Sequence, residues 1–214
     1  MTIRVFIADD HTIVCDGLRA LLETQPDLEV VGTASDGREA MQLIGRLEPD
    51  VAIMEIAMTE LNGIEATRLI SERHPATRVL ILSMYSSAEH IHRALQAGAK
   101  GYLLKSSGGK DVFHAVRAVH SGIRYLSQKI ADTVIDDYVG ANRRASPLDT
   151  LSSRERQVLQ LLAEGKSGVA IAQTLSVSPR TVETYRRRMM QKLNFNDIST
   201  LIKFAIQHGI TTAS

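Results

Sequence analysis

Hydrophobic residues follow two alternating periods along the first 122 residues of the chain. Short β-branched runs predict strands, and apolar residues at helical spacing predict the helices that follow them. The predicted strands are 3–8, 28–34, 51–56, 78–83 and 101–104, and the predicted helices are 13–24, 37–47, 63–74, 88–97 and 110–121. Such alternation predicts a doubly wound α/β fold with a five-stranded parallel sheet, right-handed crossovers and the flavodoxin-like strand order 2-1-3-4-5.

The run VAIMEIAM at residues 51–58 is apolar except for Glu55. Such a run is typical of a strand that is buried on both faces of a parallel sheet. Glu55 falls at its carboxyl end, where open α/β sheets bind their ligands. Glu55 is therefore a candidate site residue, although an acid at a strand end also reaches solvent simply because loops lie at the surface.

Polar side chains follow four of the predicted strands, and the predicted strand order brings those four ends together. The side chains are Asp9 and Asp10, Glu55, Ser83 and Lys105. Asp9 and Asp10 alone would indicate a turn and a helix N-cap. With an ammonium beside them, they predict a site for a hard divalent cation and a phosphoryl group, because Mg²⁺ takes oxygen ligands.

The segments FIADDH, DVAIMEIAMTELNGIE, ILS and GYLLK resemble the receiver domain of a two-component response regulator. The resemblance implies that Lys105 and Ser83 bind phosphoryl oxygens, and that Tyr102 turns inward as Ser83 engages. It also implies a histidine kinase as the phosphate donor. The Mg²⁺ ligands that it implies are Asp9, Asp10, the carboxylate at position 55 and the backbone carbonyl of Ala57.

Position 55 departs from the family pattern. Glu55 stands where the family carries the aspartate that accepts phosphate, and Thr59 stands where proline is common. The glutamate carboxylate reaches about 1.5 Å further, the length of one carbon–carbon bond. Misplacement by about 1 Å costs on the order of 100-fold in an in-line reaction, so the resemblance does not carry ordinary phosphotransfer over to this chain.

Three hypotheses account for Glu55. In the first, its carboxylate pairs with Lys105 and partly mimics the activated state through a charge-assisted contact. In the second, Glu55 fills the site inertly, and concentration or a partner sets the activity. In the third, the residue is a deliberate substitution. The first two describe a regulator that is independent of phosphorylation, and the first describes one that is constitutively active.

The pattern changes after residue 122. Apolar residues at helical spacing predict a helix over 125–139, and the segment GANRRASPLDT that follows has the composition of a linker. We therefore expect a receiver domain at 1–122, a linker with one helix at 123–149 and a second domain at 150–214. The sequence leaves open whether the linker helix packs on either domain or on a second subunit.

Four helices are predicted in the last 65 residues or so. Ser152 and Glu155 form a capping box at the first, and Ser178 precedes Pro179 at the start of the third. The motifs LSSRE, AEGKS, LSVS, TVET and QKL resemble the LuxR-type DNA-binding domain in their order and spacing. The whole chain thus resembles a response regulator of the NarL/FixJ type, with a receiver and a small all-α helix-turn-helix domain.

The third of these helices is expected in the major groove of double-stranded DNA, because a short helix and a tight turn precede it. The alternative interpretation is that the charged face of this helix is only solvated and contacts no DNA. Arg187 is the leading specificity residue, since arginine to guanine is the commonest specific contact. By the resemblance, Glu183, Thr184 and Arg187 lie at base edges, and Arg180, Thr181, Arg186, Arg188 and Lys192 lie at phosphates.

The fourth helix, predicted over 198–208, carries an apolar stripe wide enough to exceed what packing on the first helix needs. The family uses this helix to dimerise on DNA. We therefore expect a homodimer, whose two-fold symmetry predicts an inverted-repeat site.

Composition narrows the choice of partner. The first 122 residues are net acidic and the last part of the chain is net basic, which favours a polyanion as the partner of the second domain.

Cys15 is the only cysteine, so a disulfide framework is excluded. The opening lacks the pattern of a signal peptide, and no apolar run approaches the roughly 20 residues of a membrane span. A cytoplasmic location with no membrane partner is therefore expected.

These features favour a transcription regulator over an enzyme. Two alternatives belong to other classes. One is a phosphatase-like enzyme that hydrolyses an acyl phosphate with Mg²⁺ and a lysine. The other is an adaptor whose receiver binds a partner protein and whose helical tail only dimerises.

Overall fold

The computed structural model describes residues 2–139 and 146–211. These residues divide into two compact units, which lie within Met1–Arg143 and Arg144–Ser214. The boundary predicted near residues 140–149 falls partly outside the described residues.

Strands and helices alternate through the first unit. The strands are β1 Ile3–Ala8, β2 Leu28–Ala34, β3 Val51–Met54, β4 Arg78–Ser83, β5 Gly101–Leu104 and β6 Tyr125–Leu126. The helices are α1 Thr12–Leu22, α2 Gly37–Leu47, α3 Gly63–Arg73, α4 Ala88–Gln96, α5 Gly109–His120 and α6 Gln128–Val139. The first five strands and helices begin and end within two residues of the predicted bounds.

All strand pairs are parallel, and the order is β2-β1-β3-β4-β5-β6. The predicted order is confirmed, but the sheet has a sixth strand where the sequence analysis expected five. Gly122 has φ +84°, which turns the chain after α5. Tyr125 then pairs with Gly101 and Leu126 with Tyr102, because the free edge of β5 offers unpaired backbone groups. The helix predicted from residue 125 therefore begins only at Gln128.

Apolar side chains cover both faces of the sheet. On β3, Ala52 and Met54 belong to one hydrophobic cluster, and Val51 and Ile53 belong to another. Helix α6 joins the first cluster through Ile130, which is fully buried. The linker helix, whose packing partner the sequence left open, therefore packs on the sheet unit.

The segment after β3 positions the candidate site. The predicted strand ends two residues early, at Met54, and the amide of Glu55 donates to the carbonyl of Ala8 at 2.9 Å. Asn62 then caps α3, since its side chain accepts from the amide of Glu65. A Cβ on Gly63 would lie 1.9 Å from the carbonyl oxygen of Glu55. Only glycine therefore allows α3 to begin this close to the end of β3.

The second unit is helical. Its elements are a 3₁₀ turn Pro147–Thr150 and the helices α7 Ser153–Ala163, α8 Gly168–Leu175, α9 Pro179–Leu193 and α10 Ile198–Gln207. The capping box of Ser152 and Glu155 and the cap formed by Ser178 are present as predicted. The apolar pattern predicts the second of these helices over Ile171–Leu175, and α8 begins three residues earlier because the side chain of Ser167 caps it.

The core of the second unit brings all of its helices together. Leu148, in the 3₁₀ turn, is fully buried in this core, so the unit begins before residue 150. Among the described residues, no helix combines the length and the apolar character that crossing a membrane requires.

Replacing Gly63 by alanine should destabilise the first unit by about 1–3 kcal/mol, because the added Cβ overlaps the backbone of Glu55. Urea denaturation followed by circular dichroism measures the change. Gly17→Ala is the matched control, since nothing lies within 4 Å of its Cβ position inside α1. It should leave stability unchanged or raise it by about 0.5–1 kcal/mol. Equal midpoints for the two variants would contradict the close packing at Gly63.

Candidate functional site

Neighbouring strand ends meet at the carboxyl edge of the sheet. Ala8 on β1 is paired with Met54 on β3, and Ser83 on β4 is paired with Leu104 on β5. The residues that follow or end these strands are therefore carried to one place. The structure brings together four of the predicted side chains, which are Asp9, Glu55, Ser83 and Lys105.

The Glu55 carboxylate is only 4% exposed and has a partner on each oxygen. Oε1 accepts from the Ser83 hydroxyl at 2.5 Å and from the backbone amides of Ile56 and Ala57. Oε2 lies 2.7 Å from Lys105 Nζ. A buried carboxylate is tolerated only with such partners, so these contacts fix the direction of the Glu55 side chain.

Lys105 bridges two acids. Its Nζ lies 2.7 Å from Asp9 Oδ2 and 2.7 Å from Glu55 Oε2. Burial acts to lower the pKa of Lys105, but the hydrogen bonds to Asp9 and Glu55 and their charges outweigh it, so the pKa is raised. Lys105 is therefore a cation at neutral pH.

A second group of potential ligands lies beside this bridge. Asp9, Asp10 and His11 offer atoms that lie within 4.8 Å of one another, as a metal site requires. His11 Nδ1 is 3.2 Å from Asp9 Oδ1 and 2.9 Å from Asp10 Oδ1. The sequence pattern did not single out His11, although His11 directly follows the acid pair.

The set of ligands predicted for Mg²⁺ fits the structure only in part. Asp10 Oδ1 is buried, and its close polar neighbour among the described residues is His11 Nδ1 at 2.9 Å. Glu55 does not fit, because its oxygens face Ser83 and Lys105. Ala57 contributes an amide to Glu55. Lys105 Nζ lies 2.7 Å from both Asp9 Oδ2 and Glu55 Oε2, so among the described residues Asp10 is the one predicted carboxylate that has no ammonium partner.

Tyr102 is fully buried, and its hydroxyl donates to the carbonyl of Tyr85 at 2.8 Å. Burial and the nearby charge of Glu55 raise the pKa of Tyr102, so its phenol keeps its proton. Tyr85 follows Ser83 on the same loop and stacks on His90 of α4, with 4.5 Å between the ring centroids. The inward position of Tyr102 therefore accompanies the contact between Ser83 and Glu55, as the receiver resemblance implies.

The second candidate site is the polar face of α9. Val182 and Met189 are buried on the opposite face, and Thr184 donates its hydroxyl to the carbonyl of Arg180 at 2.9 Å. Exposed side chains at the predicted DNA-binding positions are Arg180, Glu183, Arg186, Arg187, Arg188 and Lys192, while Thr181 and Thr184 are half-buried. Burial thus separates the predicted DNA face from the core face.

Lys192 has a partner that the sequence analysis missed. Its Nζ lies 2.6 Å from Oε2 of Glu155, whose side chain is 3% exposed. The same carboxylate oxygen accepts from the amide of Ser152 at 2.7 Å. Burial acts to raise the pKa of Glu155, but the bonds from Lys192 and Ser152 outweigh it and lower the pKa. Lys192 therefore ties α9 to the start of α7.

Helix α10 divides its apolar residues between two faces. Leu201 and Ala205 are fully buried, and Phe204 joins them in the core. Ile198 is 38% exposed and Ile206 is 37% exposed. The stripe therefore extends beyond the core of the second unit, as its width predicts.

Comparison with known families gives two matches. Residues 5–117 match the family described as "Response regulator receiver domain". Residues 149–205 match the family described as "Bacterial regulatory proteins, luxR family". The first match includes the pocket formed by Asp9, Glu55, Ser83 and Lys105, and the second match includes α9.

Individual proteins align over nearly the whole chain. "Oxygen regulatory protein NreC" of Staphylococcus carnosus is 39% identical over 210 residues, which are 95% of this chain and 97% of that protein. A second match is the structure of RcsB from Salmonella enterica serovar Typhimurium bound to promoter rprA in the presence of the phosphomimetic BeF₃⁻. It is 25% identical, has a TM-score of 0.66, and the alignment covers 95% of this chain and 98% of that chain. A LuxR-family response regulator from an Aurantimonas species is 37% identical with a TM-score of 0.63, and covers 65% of this chain and 99% of its own.

Lys192→Ala should lower the free energy of unfolding of the second unit by about 1.5–3 kcal/mol, because the buried Glu155 loses its cation. The lower end applies, since Lys192 is 40% exposed and partly screened by water. Urea denaturation measures it, and Lys203→Ala, which removes an exposed lysine of α10, is the control.

The loss should depend on pH. Folding lowers the pKa of Glu155, so the contribution of the pair is present above the ordinary pKa of 4.5 and is lost as pH falls through the folded value. The difference between wild type and Lys192→Ala should therefore shrink in acid. A difference that is constant with pH would contradict the pairing with Glu155.

Proposed function

The chain belongs to the NarL/FixJ-type two-component response regulators, and from this premise we propose that Glu55 takes the place of phosphate in its receiver. Members of this family regulate transcription through a LuxR-type DNA-binding domain and are not enzymes. The proposed function is a transcription regulator that binds double-stranded DNA as a homodimer without needing phosphorylation. A histidine kinase remains the partner that the family implies, but its phosphate is not required for DNA binding.

One observation carries the proposal. Glu55 presents one oxygen to the hydroxyl of Ser83 and the other to the ammonium of Lys105, the two groups that the family implies for phosphoryl oxygens. Charge-assisted bonds of this kind are about twice as strong as neutral ones. Tyr102 is meanwhile held inward by its bond to the carbonyl of Tyr85. The longer side chain of glutamate thus engages the same partners as an added phosphoryl group would.

The DNA-binding part of the proposal rests on α9. We assign base contacts to Glu183, Thr184 and Arg187, which lie opposite the buried Val182 and Met189. Thr184 makes its base contact through its methyl group, since its hydroxyl donates to the helix backbone. The phosphate contacts are assigned to Arg180, Thr181, Arg186 and Arg188, and Lys192 is assigned to positioning α9 through Glu155.

We assign dimerisation to α10, because Ile198 and Ile206 leave part of its apolar stripe exposed. A two-fold dimer requires two half-sites in inverted orientation. The receiver is assigned to the first unit, on which α6 packs, and the DNA-binding domain to the second unit, which begins before residue 150.

Glu55→Ala should weaken DNA binding by about 5- to 150-fold, the usual range of coupling between two sites. The reason is that Ser83 loses its buried acceptor and Lys105 keeps only Asp9. Fluorescence anisotropy of the full chain on an operator fragment, identified by footprinting on native DNA, measures the Kd at fixed salt. Glu29→Ala, at an exposed glutamate on β2, is the control. Unchanged affinity in Glu55→Ala would support the inert reading of Glu55 instead.

Arg187→Ala and Arg188→Ala should differ in how they change the affinity for operator and for random duplex DNA. Arg187→Ala should cost about 1–3 kcal/mol on the operator and much less on random duplex, because a base contact discriminates sequences. Arg188→Ala should weaken both by the same factor and reduce the salt dependence by about one counterion. Titrations at two salt concentrations separate the effects, and equal losses on both duplexes for both variants would refute the assignment.

A further inference from the structure

The pocket formed by Asp9, Glu55, Ser83 and Lys105 already contains a cation, the side-chain ammonium of Lys105. Lys105 Nζ lies at the same distance, 2.7 Å, from Asp9 Oδ2 and from Glu55 Oε2. The other oxygen of each acid is also occupied. Asp9 Oδ1 accepts from the amide of His11 at 3.0 Å, and Glu55 Oε1 accepts from Ser83. Both carboxylates therefore have partners on both oxygens.

A divalent cation needs a different arrangement. Mg²⁺ demands nearly octahedral coordination by oxygens at about 2.0–2.1 Å and dehydrates reluctantly. Asp9 and Glu55 would have to release the ammonium that joins them before sharing such an ion. Charge-assisted hydrogen bonds are the stronger kind, and repulsion between Lys105 and a nearby Mg²⁺ would add to their loss.

The length of the side chain at position 55 explains why the ammonium is held here. Glutamate carries its carboxylate about 1.5 Å further from the backbone than aspartate does. At that reach Glu55 contacts Lys105 and Ser83 directly, and Oε2 has Lys105 as its partner. An aspartate in the same backbone position would carry its carboxylate up to about 1.5 Å less far toward these two groups.

We propose that Lys105 acts as the resident cation of this pocket, so that the engaged arrangement of Glu55 and Ser83 forms without Mg²⁺. The receiver of this chain consequently has little affinity for Mg²⁺, although receiver domains commonly bind it in an acidic site. Asp10 and His11, which are more exposed than Asp9, lie next to it and make no contact with Lys105 among those described. This inference rests on the engagement of Glu55 that the proposed function describes.

The test is a thermal unfolding titration of the full chain with MgCl₂ up to about 10 mM, with NaCl adjusted to hold the ionic strength constant. The wild-type Tm should stay constant within about 1 °C. Lys105→Ala should gain a Tm rise of roughly 3–6 °C once Mg²⁺ exceeds its Kd about tenfold, because a ligand that binds only the folded state stabilises it. Lys110→Ala, at an exposed lysine on α5, is the matched control and should show no response.

Two results overturn the inference. One is a wild-type Tm that rises with Mg²⁺ as much as that of Lys105→Ala. The other is a folded Lys105→Ala that shows no response, since Lys105 would then not be what excludes the ion.

A second variant keeps the test decisive if Lys105→Ala does not fold. Glu55→Asp retains Lys105 and withdraws the carboxylate from it, so isothermal titration should detect Mg²⁺ binding to this variant and none to the wild type. Mg²⁺ binding to both would overturn the inference, as would binding to neither. Because the readout is metal binding, failure here leaves the DNA-binding proposal standing, whereas loss of DNA binding would leave the metal result unchanged.

Discussion

The structure of the receiver depends on the burial of one carboxylate. Glu55 is 4% exposed at the end of the central strand, where an unpaired charge would be strongly destabilising. Its partners come from the ends of two other strands, β4 and β5, and Lys105 continues the contact to Asp9 at the end of β1. One ionic network therefore fixes the carboxyl edge of four neighbouring strands.

The same network reaches the helical face of the receiver. Ser83 contacts Glu55, and two residues later Tyr85 accepts the hydroxyl of Tyr102 and stacks on His90 of α4. Helix α6 packs against α4, with His92 Nε2 3.6 Å from a carboxylate oxygen of Asp137. Packed groups therefore connect position 55 with α6, the last helix of the first unit.

Much of this arrangement could be predicted from the sequence, because it follows from local periodicity and from topology. Strand order alone places Glu55, Ser83 and Lys105 at one edge. The remainder depends on contacts that periodicity does not encode. The pairing of Tyr125 with Gly101 requires a free strand edge, and the ion pair of Lys192 with Glu155 joins residues 37 positions apart.

The direction of a side chain is harder to predict than its position. The family pattern implies that the carboxylate at residue 55 faces a metal, whereas Glu55 faces Lys105 and Ser83. The most direct measurement is the Kd of the full wild-type chain for its operator, before and after incubation with Mg²⁺ and acetyl phosphate, with intact mass recorded on the same samples. If Glu55 replaces phosphate, the mass and the Kd are both unchanged. An added phosphoryl group at residue 55 with a Kd lowered about tenfold or more would contradict it.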